Sequence, residues 1–127
     1  GLLKIRMESW QSILEMLVSP VVVQRFVEMP NGMTSVIACA SDRHVKIRSV
    51  GAQVLKRIVL SKALPLAQRC APHMIEALRS FVECGDDLAS AAAGKAFLGI
   101  AQVSISQGHL WLSHSLLLLA HATAVVA

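Results

Sequence analysis

The side chains of this chain that could do chemistry are five His, three Cys and a run of cations. His109, His114 and His121 fall in one stretch, and the step from His114 to His121 puts two imidazoles on one helix face about 10.5 Å apart. A zinc site needs three or four ligands converging on a point. No Cys, Asp or Glu lies in 104–127, so metal ligation is not expected there. Cys39, Cys70 and Cys84 are widely spaced among apolar neighbours, the setting of buried reduced thiols in a reducing compartment. A nucleophilic enzyme sets Ser or Cys beside an oriented base, and no Gly-x-Ser-x-Gly elbow or related frame occurs. Asp86 and Asp87 follow Gly85 at a predicted helix start, where carboxylates accept free amide N–H groups and suit the helix dipole. Gly94 and Gly99 lie inside a helical pattern and fit close helix packing better than a phosphate loop. The expectation is a chain without catalytic residues, metal or cofactor.

The cations are more informative. Residues 43–69 hold Arg43, Lys46, Arg48, Lys56, Arg57, Lys62 and Arg69 with no Asp or Glu among them. Lys46, Gln53 and Arg57 recur at near-helical spacing, so one strip of a helix is polar and basic. Such a strip suits a solvated face, an acidic protein segment or phosphate. The net charge is only +4, and no aromatics are interleaved for base stacking. Nucleic acid is therefore not the expected partner.

The elements that must carry these residues follow from composition and pattern. The 127 residues are 54% apolar, 16% charged and 4% aromatic, without Tyr, and the mean hydropathy is +0.58. So apolar a chain does not stay disordered, and seven Gly without period exclude a collagen-like fibre. A single domain of this size has limited interior, so part of the apolar surplus is expected to face other protein. The opening residues mix Lys4 and Arg6 into an amphipathic pattern without a leader, and the chain reads as an excerpt of a longer one.

Laid against itself, the sequence repeats at an offset of 42 residues. Pro30 falls on Pro72, Ser19 on Ser61, Ile5 on Ile47, Ile13 on Leu55 and Leu17 on Val59; a second step carries Leu55 to Phe97, Ile58 to Ile100 and Val59 to Ala101. Each period has the same grammar. Pro20 opens a short helix over 20–28, Met29-Pro30-Asn31-Gly32 breaks it, and a second short helix spans 33–40. A long helix over about 44–60 follows, with Val45, Ile47, Val50, Val54, Leu55 and Ile58 at helical spacing. The next period gives a short helix or turn over 63–70 interrupted by Pro65, a helix over 73–83 and a third over 88–103. Residues 2–18 read as the third helix of a preceding unit, and 109–127 as helical. No segment alternates with period two, so no strand is expected. Units of this kind cannot bury their own apolar face and must stack on neighbours.

With this grammar the chain resembles armadillo repeats, and next to them HEAT repeats, over about residues 1–108. The residues that carry the resemblance are Phe26-Val27-Glu28-Met29-Pro30-Asn31-Gly32-Met33, similar to the family's short helix and Gly-containing turn. HVKIRSVGAQVLKRIV over 44–59 and Ala96-Phe97-Leu98-Gly99-Ile100-Ala101 resemble its third helix. The resemblance implies an all-α, right-handed α-solenoid of about two and a half stacked units: a truncated unit over 1–19, repeats over 20–61 and 62–104, and the start of a further unit or a capping helix over 105–127. It also implies a non-catalytic scaffold that binds protein along its stacked face. The family's peptide-binding members line that face with Trp and Asn four residues apart. The matching positions here are Gln11 and Glu15, Gln53 and Arg57, then Lys95 and Gly99. None carries that pair. The residues expected to meet a partner are accordingly the polar stripe itself: Gln11, Glu15, Lys46, Gln53, Arg57 and Lys95.

Residues 104–127 carry no formal charge and include the Leu run 116–119. Nineteen residues from His109 nearly reach across a bilayer core at about 1.5 Å each, but His, Ser and Thr interrupt them and no Lys or Arg anchors flank them. The reading drawn is a cytoplasmic or otherwise reducing intracellular scaffold whose partner is a protein, a protein with an acidic segment being one candidate, and whose 109–127 end is covered by further protein. A helical subunit that docks on or inserts into a membrane through 104–127 is the alternative.

Overall fold

A computed structural model describes residues 1–106 and Gly108. In chain order its helices are α1 (Leu2–Met16), α2 (Pro20–Glu28), α3 (Gly32–Cys39), α4 (Val45–Leu60), α5 (Leu66–Arg69), α6 (Pro72–Val82) and α7 (Asp87–Ser106). The fold is all-α, and no strand occurs among the described residues.

Local chemistry sets most of the boundaries. Pro20 and Pro72 open α2 and α6 at the helix start, where the missing N–H has no partner to lose. Gly85, at φ +83°, turns the chain between α6 and α7 in a conformation that side chains with a Cβ resist. Asp86 Oδ2 then accepts the Ala89 N–H at 2.9 Å, which is the capping role its position suggested. Two elements differ from the periodicity. The helix or turn expected over 63–70 shrinks to the four residues of α5, because Pro65 sits just before it as its cap. The helix expected to stop at 103 continues to Ser106, with no Gly or Pro to break it before Gly108.

The core is built around α4, which packs against α1, α3, α5, α6 and α7. Ile47, Val54, Leu55, Ile58 and Val59 of α4 are fully buried, together with Leu78 and Phe81 of α6 and Phe97 and Ile100 of α7. At roughly 1.5–3 kcal/mol for each large apolar side chain removed from water, this cluster supplies much of the drive to fold. Gly51 lets α4 approach closely: a Cβ there would overlap the Cβ of Cys39 and lie 3.3 Å from Phe81 Cζ.

Cross-links fix the direction of the three long helices. Near its start α1 is held by the Arg6–Asp42 ion pair, just before α4 begins. Near its end the Leu14 carbonyl accepts Arg57 Nη1 from the last turn of α4 at 2.6 Å. Start meets start and end meets end, so α1 and α4 lie side by side and run the same way. The same holds for α4 and α7: Val45 and Leu88, at their starts, line one groove, and Gly99 lies against Leu60, the last residue of α4. α4 thus packs between two parallel neighbours, α1 and α7.

α7 is long and apolar enough to cross a membrane by length and composition, but 56% of that stretch is buried inside the protein. It serves the core. The helix expected over 109–127, His109, His114, His121 and the Leu run lie outside the described residues.

Candidate functional site

Where the parallel helices meet, the surface sinks into an open groove of about 370 Å³. Met7, Gln11 and Leu14 come from α1, at steps of four and three residues that place them on one helix face. Val45, Lys46, Ser49, Val50 and Gln53 come from the first nine residues of α4, and Asp86 and Leu88 from the start of α7. Leu14 and Val50 are buried and form the apolar floor. Val45 and Leu88 stand at its margin, 52% and 68% exposed. Gln11, Lys46 and Gln53 are exposed and supply the polar rim. An apolar centre within a polar rim is the usual anatomy of a protein-binding patch.

Three of the six residues expected to meet a partner, Gln11, Lys46 and Gln53, are therefore brought together. Arg57 lies a turn beyond Gln53, and one of its N–H groups is engaged by the Leu14 carbonyl. Glu15 and Lys95 are exposed but do not line the groove. The sequence reading did not place Met7, Leu14, Val45, Ser49, Val50, Asp86 or Leu88 among the residues that meet a partner. Ser49 and Val45 could have been found as helical neighbours of Lys46 and Gln53, whereas Leu88 becomes visible only once α7 is placed beside α4.

The electrostatics of the groove are mixed. Among the described residues Lys46 has no carboxylate partner; the ion pairs are Lys4–Glu8, Arg6–Asp42 and Glu76–Arg79. Asp86 is engaged at the Ala89 amide and sits at the positive end of the α7 dipole, which offsets part of its charge. Just outside the groove, Asp42 organises the entry to α4. Its carboxylate pairs with Arg6 and accepts the His44 N–H at 2.9 Å. Its carbonyl accepts Arg48 Nη1 at 2.6 Å, while Arg48 Nε is buried without a partner. The Arg6 guanidinium, aided by the His44 amide, holds the Asp42 carboxyl below its ordinary 3.8.

Groups able to act as nucleophiles are placed away from activating partners. The Ser49 hydroxyl makes no hydrogen bond among the described residues, so no base holds it as an activated nucleophile would be held. Burial pushes the Cys39 thiol up to about 12, with Asp42 adding to the effect. Burial also raises Cys70, against a 3.9 Å contact with the Ser104 hydroxyl that pulls the other way. Thiols held protonated are poor nucleophiles and poor metal ligands. Among the described residues no three His, Cys, Asp or Glu side chains gather as a metal site would require.

Set beside known proteins, the chain matches no family model, no curated protein and no solved structure.

Proposed function

We propose that this chain is an armadillo-like, right-handed α-solenoid segment of about two and a half units, acting as a non-catalytic scaffold. A partner protein docks along the face made by α1, α4 and α7. The observation that carries this reading is the parallel run of the three long helices, each the third of its unit by the 42-residue offset. Helices joined by short connections in a simple bundle alternate in direction. Neighbours that run the same way require a return path, and here α2–α3 and α5–α6 are those returns. Translational stacking of this kind leaves an extended face for binding, and the groove lies on it. The units then divide at 19/20, 61/62 and 104/105. A reducing intracellular compartment fits the buried free thiols, and further protein over 109–127 fits the uncharged composition of that stretch.

The test uses a partner recovered with the intact chain and then purified. Lys46→Glu together with Gln53→Glu changes two exposed side chains of the rim, leaves the core untouched, and is expected to weaken binding about tenfold or more. Unchanged affinity overturns the assignment of this face.

A further inference from the structure

Asn31 is the only Asn of the chain, and Gly32 follows it. Asn-Gly is turn chemistry, and here the pair joins α2 to α3. Asn31 is exposed and stands at the cap position of α3, yet its side chain makes no cap hydrogen bond. An Asn at that place ordinarily accepts an N–H of the first turn. The backbone around it is held instead. The Asn31 carbonyl accepts the Ser35 N–H at 3.0 Å and the Ser35 hydroxyl at 2.7 Å, and the Gly32 N–H donates to the Met29 carbonyl at 3.2 Å. Gly32 is itself required: a Cβ there would lie 2.5 Å from the Phe26 carbonyl oxygen. The packing of α2 on α3 thus imposes a residue without a side chain after an exposed Asn amide. Such a residue leaves its peptide nitrogen open to that amide.

We propose that Asn31 is a modification site, converted to a carboxylate through attack by the peptide nitrogen of Gly32. That nitrogen gives up its proton to base and attacks Asn31 Cγ. The new N–Cγ bond closes a cyclic imide, the Cγ–Nδ2 bond breaks, and the side-chain nitrogen takes up a proton and leaves as ammonia. Water then opens the imide at either carbonyl carbon. Opening at Cγ restores the ordinary main chain with aspartate at position 31. Opening at the main-chain carbonyl leaves the chain running through the side chain, as isoaspartate. Ring closure requires rotation about the Asn31 Cα–C bond from ψ 4° and release of the Gly32 N–H from Met29, so opening of the α2–α3 turn gates the step. The two products act oppositely on α3. Aspartate at the cap accepts first-turn N–H groups and suits the helix dipole. Isoaspartate inserts a carbon into the main chain just where Gly32 is seated against the Phe26 carbonyl, and loosens the helix that carries Val36 and Cys39 into the core.

The test holds the whole chain at mildly alkaline pH and follows its intact mass, the ammonia released and its peptide map. The mass gain of amide-to-acid conversion is expected, mapped to Asn31 and matched by ammonia. Two products are expected, of which a protease that cleaves at aspartate cuts only one. Asn31→Ser, which keeps a good cap residue, is expected to abolish the gain while leaving the melting temperature in place. In urea that unfolds the chain the rate rises about tenfold or more, because ring closure no longer waits for the turn to open. The isoaspartyl product, separated from the parent, unfolds at lower urea, whereas Asn31→Asp does not. Four results each overturn the proposal: Asn31 intact in the folded chain once the unfolded chain has converted, a mass gain that survives Asn31→Ser, equal rates in the folded and unfolded chain, or an isoaspartyl product as stable as the parent.

Discussion

Arg57 caps the end of a helix it does not belong to. Its Nη1 donates to the Leu14 carbonyl at 2.6 Å, and no backbone N–H takes that carbonyl, since α1 ends with Leu17 N–H bonded to Ile13 and Ser19 N–H to Met16. The last carbonyls of a helix lack internal partners and carry the negative end of its dipole. A cation arriving from α4 answers both needs and ties two parallel helices together. Ser90 does likewise for α6, donating its hydroxyl to the Val82 carbonyl at 2.6 Å. Replacing Arg57 with Gln is therefore expected to lower stability by about 1 kcal/mol in urea unfolding, with faster amide exchange near the end of α1. An unchanged midpoint would show that solvent serves the carbonyl equally well.

At the opposite end, the Arg6–Asp42 pair holds α1 to the start of α4. A double-mutant cycle between the two is expected to return under about 1 kcal/mol, because Arg6 is partly exposed. The sign of its pH dependence follows from the lowered Asp42 carboxyl. Its contribution is fully present above the ordinary value of 3.8 and is lost as pH falls through the lower folded value. Asp42→Asn should flatten the acid limb of the stability curve; a limb of unchanged steepness would remove Asp42 from that role.

Two glycines of the helices separate close backbone approach from ordinary packing. A Cβ at Gly51 meets the Cβ of Cys39, which cannot swing away, and Phe81 behind it. Gly51→Ala is expected to cost about 2 kcal/mol. A Cβ at Gly99 meets only the tip of the Leu60 side chain, which can change rotamer, so Gly99→Ala should cost well under half as much. Equal losses in thermal unfolding would mean that α4 and α3 are free to separate.

The thiols should differ in reactivity. Cys39 and Cys70 are buried and Cys84 is half-buried. With an aromatic disulfide reagent at mildly alkaline pH, Cys84 is expected to react first. Cys39, pushed up to about 12, should react only as the protein unfolds. Reaction of Cys39 as fast as Cys84 would contradict the packing of α3 on α4.

The helices were legible in the sequence wherever a local cause sets them. Pro20 and Pro72 mark helix starts, Gly85-Asp86 a stop and a start, and the apolar spacing of 45–58 marks α4. Long-range causes were not legible. Gly51 gives no sign in the pattern that Cys39 will sit against it. Met16, at the offset that matches the fully buried Ile58 and Ile100, is 56% exposed, because α1 packs chiefly on α4 and has no second long helix beside it among the described residues. The groove was half legible. Gln11, Lys46 and Gln53 follow from helical spacing, but which turn of each helix faces its neighbour depends on the stagger between helices. That stagger leaves Glu15 and Lys95 outside and brings Leu88 in.

The most direct measurement places a photo-cross-linking side chain at Gln53, on the rim of the groove, or at Glu76, exposed on α6 away from it, in the whole chain bound to its purified partner. Adducts from Gln53 and none from Glu76 are the expected result. Adducts from Glu76 with none from Gln53 would contradict the central claim that the parallel long helices present the binding face.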